Sequence, residues 1–485
     1  MARDIDIELW EPHAGQVKIQ ETARRFNPIV CGRRFGKTEF CVVVDYPLIA
    51  PAAFEGKKVG VFVQDFKDFS ETWQLIVDTY KDIDEGGVIV HKDETKKRIK
   101  FLGGGLLEVW SIPNVGAKNK GRGRKYHRVI YEETQKIPDE VLEYHWKNVA
   151  RLLLLDYKGD AYFIGTANGK DNFWYELCRR GAKNSKCERN YYGDEDLKSD
   201  YTSEDWYTHR MTTYANPHIP VSEIEILKDE LDSLTFSQEC LCTFVDYAGN
   251  PWVYSLKDLN KQRQVFRQST EFKPIDLKRE QLYISFDFNK IPMTAVVMKK
   301  TQLAPKDMQD TKFRYGMHFV MEFKIGSEER GEASIYDTCQ AIREWVMTET
   351  GIKIGKWENK HYPCTIPFLI TGDASGNRSD GRSKVPVTYY QIIQEELQLV
   401  PQQIKILKAN PLHSESYVQV NTIIEKCTDF VIYEDKCPSL RMDTLRIKGN
   451  NSRQIVKAKG AERQADLLDC MRYALWTFCQ DARAW

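Results

Sequence analysis

Residues 31–38, Cys31-Gly32-Arg33-Arg34-Phe35-Gly36-Lys37-Thr38, leave this 485-residue chain few folds to choose from. Pro28-Ile29-Val30 leads in and Glu39-Phe40-Cys41-Val42-Val43-Val44 follows, so the stretch reads as a strand, a tight loop and a helix start. Such a loop turns successive backbone N–H groups and a positive helix end toward phosphate oxygens. Its lysine reaches the β and γ oxygens, and its threonine hydroxyl holds Mg²⁺. Cys31, Gly32, Arg33, Arg34, Gly36, Lys37 and Thr38 are therefore candidate ATP contacts, Thr38 also a metal ligand. Cys31 stands where glycine is usual. The same letters alone also fit a glycine-rich turn with an exposed lysine.

Three further stretches bear on that loop. Upstream, Leu9-Trp10-Glu11-Pro12-His13-Ala14-Gly15-Gln16 is a proline turn whose Gln16 amide offers the donor and acceptor that adenine N6 and N7 require. Downstream, Val129-Ile130-Tyr131-Glu132-Glu133-Thr134 is a buried strand ending in two carboxylates. In P-loop ATPases the first acid orders Mg²⁺ through water and the next polarises the attacking water, which assigns those roles to Glu132 and Glu133. Glu132 replaces the usual aspartate. Ala161 to Asn168 is another buried strand, delivering Thr166 and Asn168 where a γ-phosphate would sit, because ligands gather at the carboxyl ends of parallel strands. Lys58 to Val63 reads as a strand, Phe69 to Tyr80 as a helix, and Arg98–Phe101 with Leu106–Trp110 as a hairpin. Lys118 to Arg128 carries six basic residues and no acid, either a solvated face or a phosphate-facing loop.

Lys+Arg 70 against Asp+Glu 70 gives zero net charge, so nucleic-acid binding must come from local patches. The 12 cysteines show no CxxC and no zinc spacing, as in a reducing compartment. No signal core and no long apolar run occurs, so the expected location is the cytoplasm, away from membrane.

In the second half, Leu282 to Asn289 is a strand that carries Asp287 toward a core, where a carboxylate is costly unless paired or metal-bound. Thr294–Met298 and His318–Phe323 continue as strands, with Glu322 read as structural. A helix over 333–347 precedes Pro367 to Gly376, a strand ending in Asp373. Asp466 to Trp476 is an amphipathic helix whose spacing of three puts Asp466 and Asp469 on one face. Each acid alone fits a cap or a surface position. Together, in strand-strand-strand-helix-strand order, they suit two divalent ions, Mg²⁺ or Mn²⁺, held by oxygen ligands.

With Tyr214-Ala215-Asn216-Pro217-His218-Ile219-Pro220, these motifs in this order resemble the large terminase subunit of tailed bacteriophages. The resemblance implies an α/β chain with an N-terminal P-loop (ASCE-type) ATPase domain over 1–245, a linker over 246–275 and a C-terminal ribonuclease H-like nuclease domain over 276–485. It implies that Arg33 contacts the γ-phosphate and that a neighbouring subunit inserts Arg122, with Arg124 as the alternative. It makes Asp287, Asp373 and Asp469 the metal ligands, with Asp466 an alternative or auxiliary ligand. The implied partners are double-stranded DNA, the portal protein and the small terminase subunit. The implied assembly is a homo-oligomeric ring on the portal and a monomer when free. The basic stretch from Arg441 to Arg463 could guide DNA or be a solvated loop. A helicase-like repair ATPase with a nuclease domain is the nearest rival, and a non-catalytic DNA-binding scaffold is another.

Overall fold

The computed structural model describes residues 5, 7–182, 203–247, 250–256, 265–289, 292–303, 313–326, 334–358, 360–377, 387–456 and 465–480. Contacts divide the chain into two units, residues 1–227 with 234–246 and residues 228–233 with 247–485.

The strands of the first unit are β1 (Phe26–Cys31), β2 (Lys58–Val63), β3 (Ile89–Asp93), β4 (Arg98–Phe101), β5 (Leu106–Ser111), β6 (Arg128–Tyr131), β7 (Asp160–Gly165) and β8 (His209–Met211). They form one sheet in the order β3-β4-β5-β2-β6-β7-β1-β8. From β5 to β8 the neighbours run parallel, while β3, β4 and β5 pair antiparallel at one edge. The pleat sends alternate residues of β2 to opposite faces: Val59, Val61 and Val63 enter one core with Trp73 and Ile76, and Phe62 enters the other with Trp146 and Leu153. Covered on both faces, the inner strands read as continuous apolar runs. The edge strand β3 is polar at Lys92 and Asp93, so the sequence gives little sign of it.

The second unit contains β9 (Phe266–Arg267), β10 (Leu282–Asp287), β11 (Met293–Gln302), β12 (Tyr315–Ile325), β13 (Gly355–Trp357), β14 (Lys360–Tyr362), β15 (Phe368–Gly372) and β16 (Phe430–Tyr433). Six of them make a sheet in the order β15-β10-β11-β12-β16-β9, and β13 pairs with β14 alone. β10, β11 and β12 form an antiparallel meander, and β15 returns parallel to β10 after the helix Ile335–Thr350. This is the strand plan of a ribonuclease H-like sheet. Along β10, Leu282, Ile284 and Phe286 pack into the core shared with Ile342 and Val346 of that helix. Asp287 has the opposite parity and falls on the other face, toward the helix Asp466–Phe478, whose Cys470 meets Thr294.

The stretch expected as a linker carries packed side chains among its described residues. Trp252, Val253 and Leu256 are buried, and β9 joins the sheet beside β16, so these apolar side chains bind the described part of 247–275 into the second unit. Among the described residues no helix is long and apolar enough to cross a membrane.

Candidate active sites

β6, β7 and β1 are adjacent, and their carboxyl ends meet. The loop after β1 turns through Arg34 (φ 61°) and Gly36 (φ 98°) before the helix Lys37–Val42. At Gly36 a side chain would be strained by the left-handed backbone and would also crowd the Gln16 amide. Lys37 Nζ lies 3.4 Å from the Thr166 hydroxyl and 3.8 Å from Glu133 Oε1. Glu133 itself takes a left-handed turn (φ 47°) that swings it off the end of β6. A cavity of about 530 Å³ opens over the loop, lined among others by Trp10, Gln16, Arg34, Lys37, Thr38 and Glu133.

The loop is held from outside. Thr213 donates its hydroxyl to the Arg33 carbonyl at 2.8 Å, and Asn216 donates its amide to the Arg34 carbonyl at 2.7 Å. This gives the 214–220 segment a physical task, since Asn216, His218 and Ile219 also line the cavity. Glu132 accepts from the Thr72 hydroxyl at 3.1 Å, and burial pushes its carboxyl up to about 7. Burial pushes the Cys31 thiol up as well, so it sits under the loop as a small neutral side chain.

Two expectations meet a different geometry. Gln16 accepts from the His13 N–H and donates to the Gly36 carbonyl, both at 3.0 Å. Its amide thus caps the helix Ala14–Thr22 and braces the phosphate loop from the wall of the cavity. Arg33 pairs with Glu239 at 2.6 Å and does not line the cavity, whereas Arg34 does.

In the second unit Asp287, Asp466 and Asp469 are all buried. Asn289 donates one amide nitrogen to Asp287 Oδ2 at 3.0 Å and to Asp466 Oδ1 at 2.8 Å, so two carboxylates converge on one point. Asp469 instead receives Arg472 Nε at 3.1 Å and Nη2 at 2.9 Å. Asp373 takes the Tyr473 hydroxyl at 3.4 Å. Asp469, Asp373 and Asp287 together raise the Tyr473 hydroxyl, after burial, so all three lie within electrostatic reach of it. Among the described residues, no three His, Cys, Asp or Glu side chains stand close enough to hold one ion. The donor set still suits a hard cation at the Asp287–Asp466 pair, where amide protons occupy the point between two carboxylate oxygens. Asn289 thus brings Asp466 to Asp287, while Arg472 engages Asp469 and the Tyr473 hydroxyl engages Asp373.

Several solved structures are similar to this chain. The chain is similar to the large terminase of the thermophilic bacteriophage D6E, at 12% identity, covering 97% of this chain and 100% of that one, with a TM-score of 0.49. It is similar to the ATPase domain of the Thermus phage P74-26 large terminase, at 18% identity over 48% of this chain and 94% of that one, TM-score 0.39. The bacteriophage HK97 large terminase aligns at 10% identity over 96% and 95%, TM-score 0.36. No family model and no curated protein matches the chain.

The remaining candidates separate cleanly. Glu322 caps the helix Pro438–Arg446, accepting from the N–H groups of Ser439 and Leu440 at 2.9 and 2.8 Å. Arg124 is paired with Glu108 at 3.4 Å, while Arg122 is exposed and, among the described residues, makes no ion pair. In the basic stretch, Arg441 faces Glu434 and Arg453 bonds the Tyr247 hydroxyl; Lys457, Lys459 and Arg463 lie outside the described residues. Gln135, two residues past Glu133, went unread in the sequence, although an amide so close behind an acid pair is the one signal that could have marked it.

Proposed function

We propose that this chain is the large subunit of a phage DNA-packaging motor, hydrolysing ATP in the first unit and cutting DNA in the second. The observation that carries the first half is the meeting of Lys37, Glu133 and Thr166 at three adjacent strand ends. ATP would lie with its phosphates over residues 32–38. Lys37 turns from Glu133 and Thr166 to the β and γ oxygens. Glu133 then accepts a proton from the water that attacks the γ-phosphorus. The bond from phosphorus to the bridging oxygen breaks, and ADP leaves with the electron pair. Thr38 and Glu132 offer the oxygen donors for Mg²⁺, which neutralises phosphate charge when bound. A neighbour's Arg122 adds positive charge in the transition state, and turnover drives double-stranded DNA through the portal into the capsid.

In the second unit Asp287 and Asp466 would hold a divalent ion, which activates water and steadies the leaving oxygen. Asp373 and Tyr473 border the same acids. The small terminase subunit and a ring on the portal complete the proposed assembly. Incubation of the full-length chain with supercoiled plasmid and Mg²⁺ or Mn²⁺ tests the nuclease. Cleavage that disappears in Asp287→Asn supports it, and a folded chain that leaves the plasmid intact under either ion rejects it.

A further inference from the structure

Gln135 joins two parts of the ATP site, the Glu133 carboxylate and the backbone of Thr166. It sits in the single turn Thr134–Lys136, directly after the left-handed Glu133. Its Nε2 donates to Glu133 Oε2 at 2.6 Å, and its Oε1 accepts the Thr166 N–H at 3.1 Å. The amide orientation follows from the partners, because a carboxylate only accepts and a backbone N–H only donates. Gln135 Oε1 also lies where a Cβ on Gly165 would approach to 2.4 Å, so the strand end leaves space for this amide and nothing larger. Around the site runs a closed ring: Lys37 to Glu133, Glu133 to Gln135, Gln135 to the Thr166 backbone, and the Thr166 hydroxyl back to Lys37.

We propose that Gln135 is a positioning residue for hydrolysis, one that fixes the Glu133 carboxylate and ties it to the strand end at Thr166. The inference rests on the ATPase reading above. Lys37 touches both ends of the ring, so its move to phosphate oxygens releases Glu133 Oε1 and the Thr166 hydroxyl together. Gln135 keeps Glu133 Oε2 anchored through that change, leaving Oε1 as the oxygen that meets the attacking water. Glutamine suits the task because one planar group must donate to a carboxylate and accept from an N–H at once. Glutamate in its place could accept from Thr166 but would set a second negative charge against Glu133.

The test is steady-state ATP hydrolysis by the full-length chain as wild type, Gln135→Ala, Gln135→Glu and Glu133→Gln, with melting temperature and ADP affinity measured on each. Gln135→Ala is expected to lower kcat roughly 10- to 100-fold, part of the 10²–10⁴ a general base supplies, with KM and ADP affinity within about twofold. Gln135→Glu is expected to move the acid limb of the rate profile up by about one pH unit, as paired carboxylates do. A purely structural glutamine would lower the melting temperature and leave kcat and the pH profile of the folded enzyme in place, and that result overturns the proposal. Glu133→Gln separates the two failures. If it too keeps wild-type turnover, the ATPase reading falls; if it alone is dead, only the role of Gln135 does.

Discussion

His145 holds the carbonyl oxygen of Lys120 from its Nε2 at 3.0 Å. Its other nitrogen, Nδ1, lies 2.6 Å from the Tyr131 hydroxyl. A carbonyl only accepts, so Nε2 carries the proton, Nδ1 accepts from Tyr131, and the ring is neutral. The imidazole therefore pins the basic loop, two residues before Arg122, to the strand that delivers Glu133.

That neutrality predicts an acid weakness. Burial pushes His145 down to about 4 from an ordinary 6.5. A lowered histidine stabilises the fold fully above its unfolded value and loses that contribution as pH falls from 6.5 to 4, a total of about 3 kcal/mol at most. Calorimetric melts across that window should show the first unit weakening, and His145→Gln should melt lower at pH 7.5 with a flatter dependence below it.

Glu132 predicts a limb on the activity side. With its carboxyl near 7, the free enzyme holds it protonated at lower pH, where it cannot serve as an oxygen donor to a cation. The profile of kcat/KM for ATP should climb as pH rises through about 7. Glu132→Gln should be slow and lack that limb.

The two arginines of the basic loop should behave differently. Arg124 is engaged with Glu108 and Trp110, so Arg124→Ala is expected to cost about 1 kcal/mol of stability first. Arg122→Ala should lower ring-assembled ATPase roughly 10³-fold or more. Mixing it with Lys37→Ala subunits should restore turnover, because the second variant lends its Arg122 to the first one's intact loop. No recovery in the mixture would place the arginine in the same subunit as its site.

Among the nuclease acids, Asp469→Asn would leave the buried Arg472 without its anion and is expected to destabilise the second unit by about 3–5 kcal/mol. Asp466→Asn should melt close to wild type and lose metal-dependent cutting. Paired melting and plasmid assays on the two variants distinguish these outcomes.

The inner strands were legible because burial on both faces demands unbroken apolar runs, as in Val59 to Val63 and Phe163 to Gly165. β12 extends past His318–Phe323 at both ends because Tyr315 and Ile325 pair with Gln302 and Met293 of β11, a partnership no linear pattern displays. At the ATP site, Lys37, Glu133 and Thr166 could be named because each ends or follows a readable strand. Gln16 could be found but not interpreted, since one of its bonds runs to a loop twenty residues away. Asp466 and Asp469 share a helix face, so spacing could not separate them; only the buried Arg472 does.

ATP hydrolysis by the purified full-length chain, with and without double-stranded DNA, beside Lys37→Ala and Glu133→Gln, tests the central claim most directly. The account predicts turnover that DNA stimulates and that both substitutions abolish. Wild-type turnover in either folded variant, or none in the wild type with DNA and Mg²⁺ present, would contradict it.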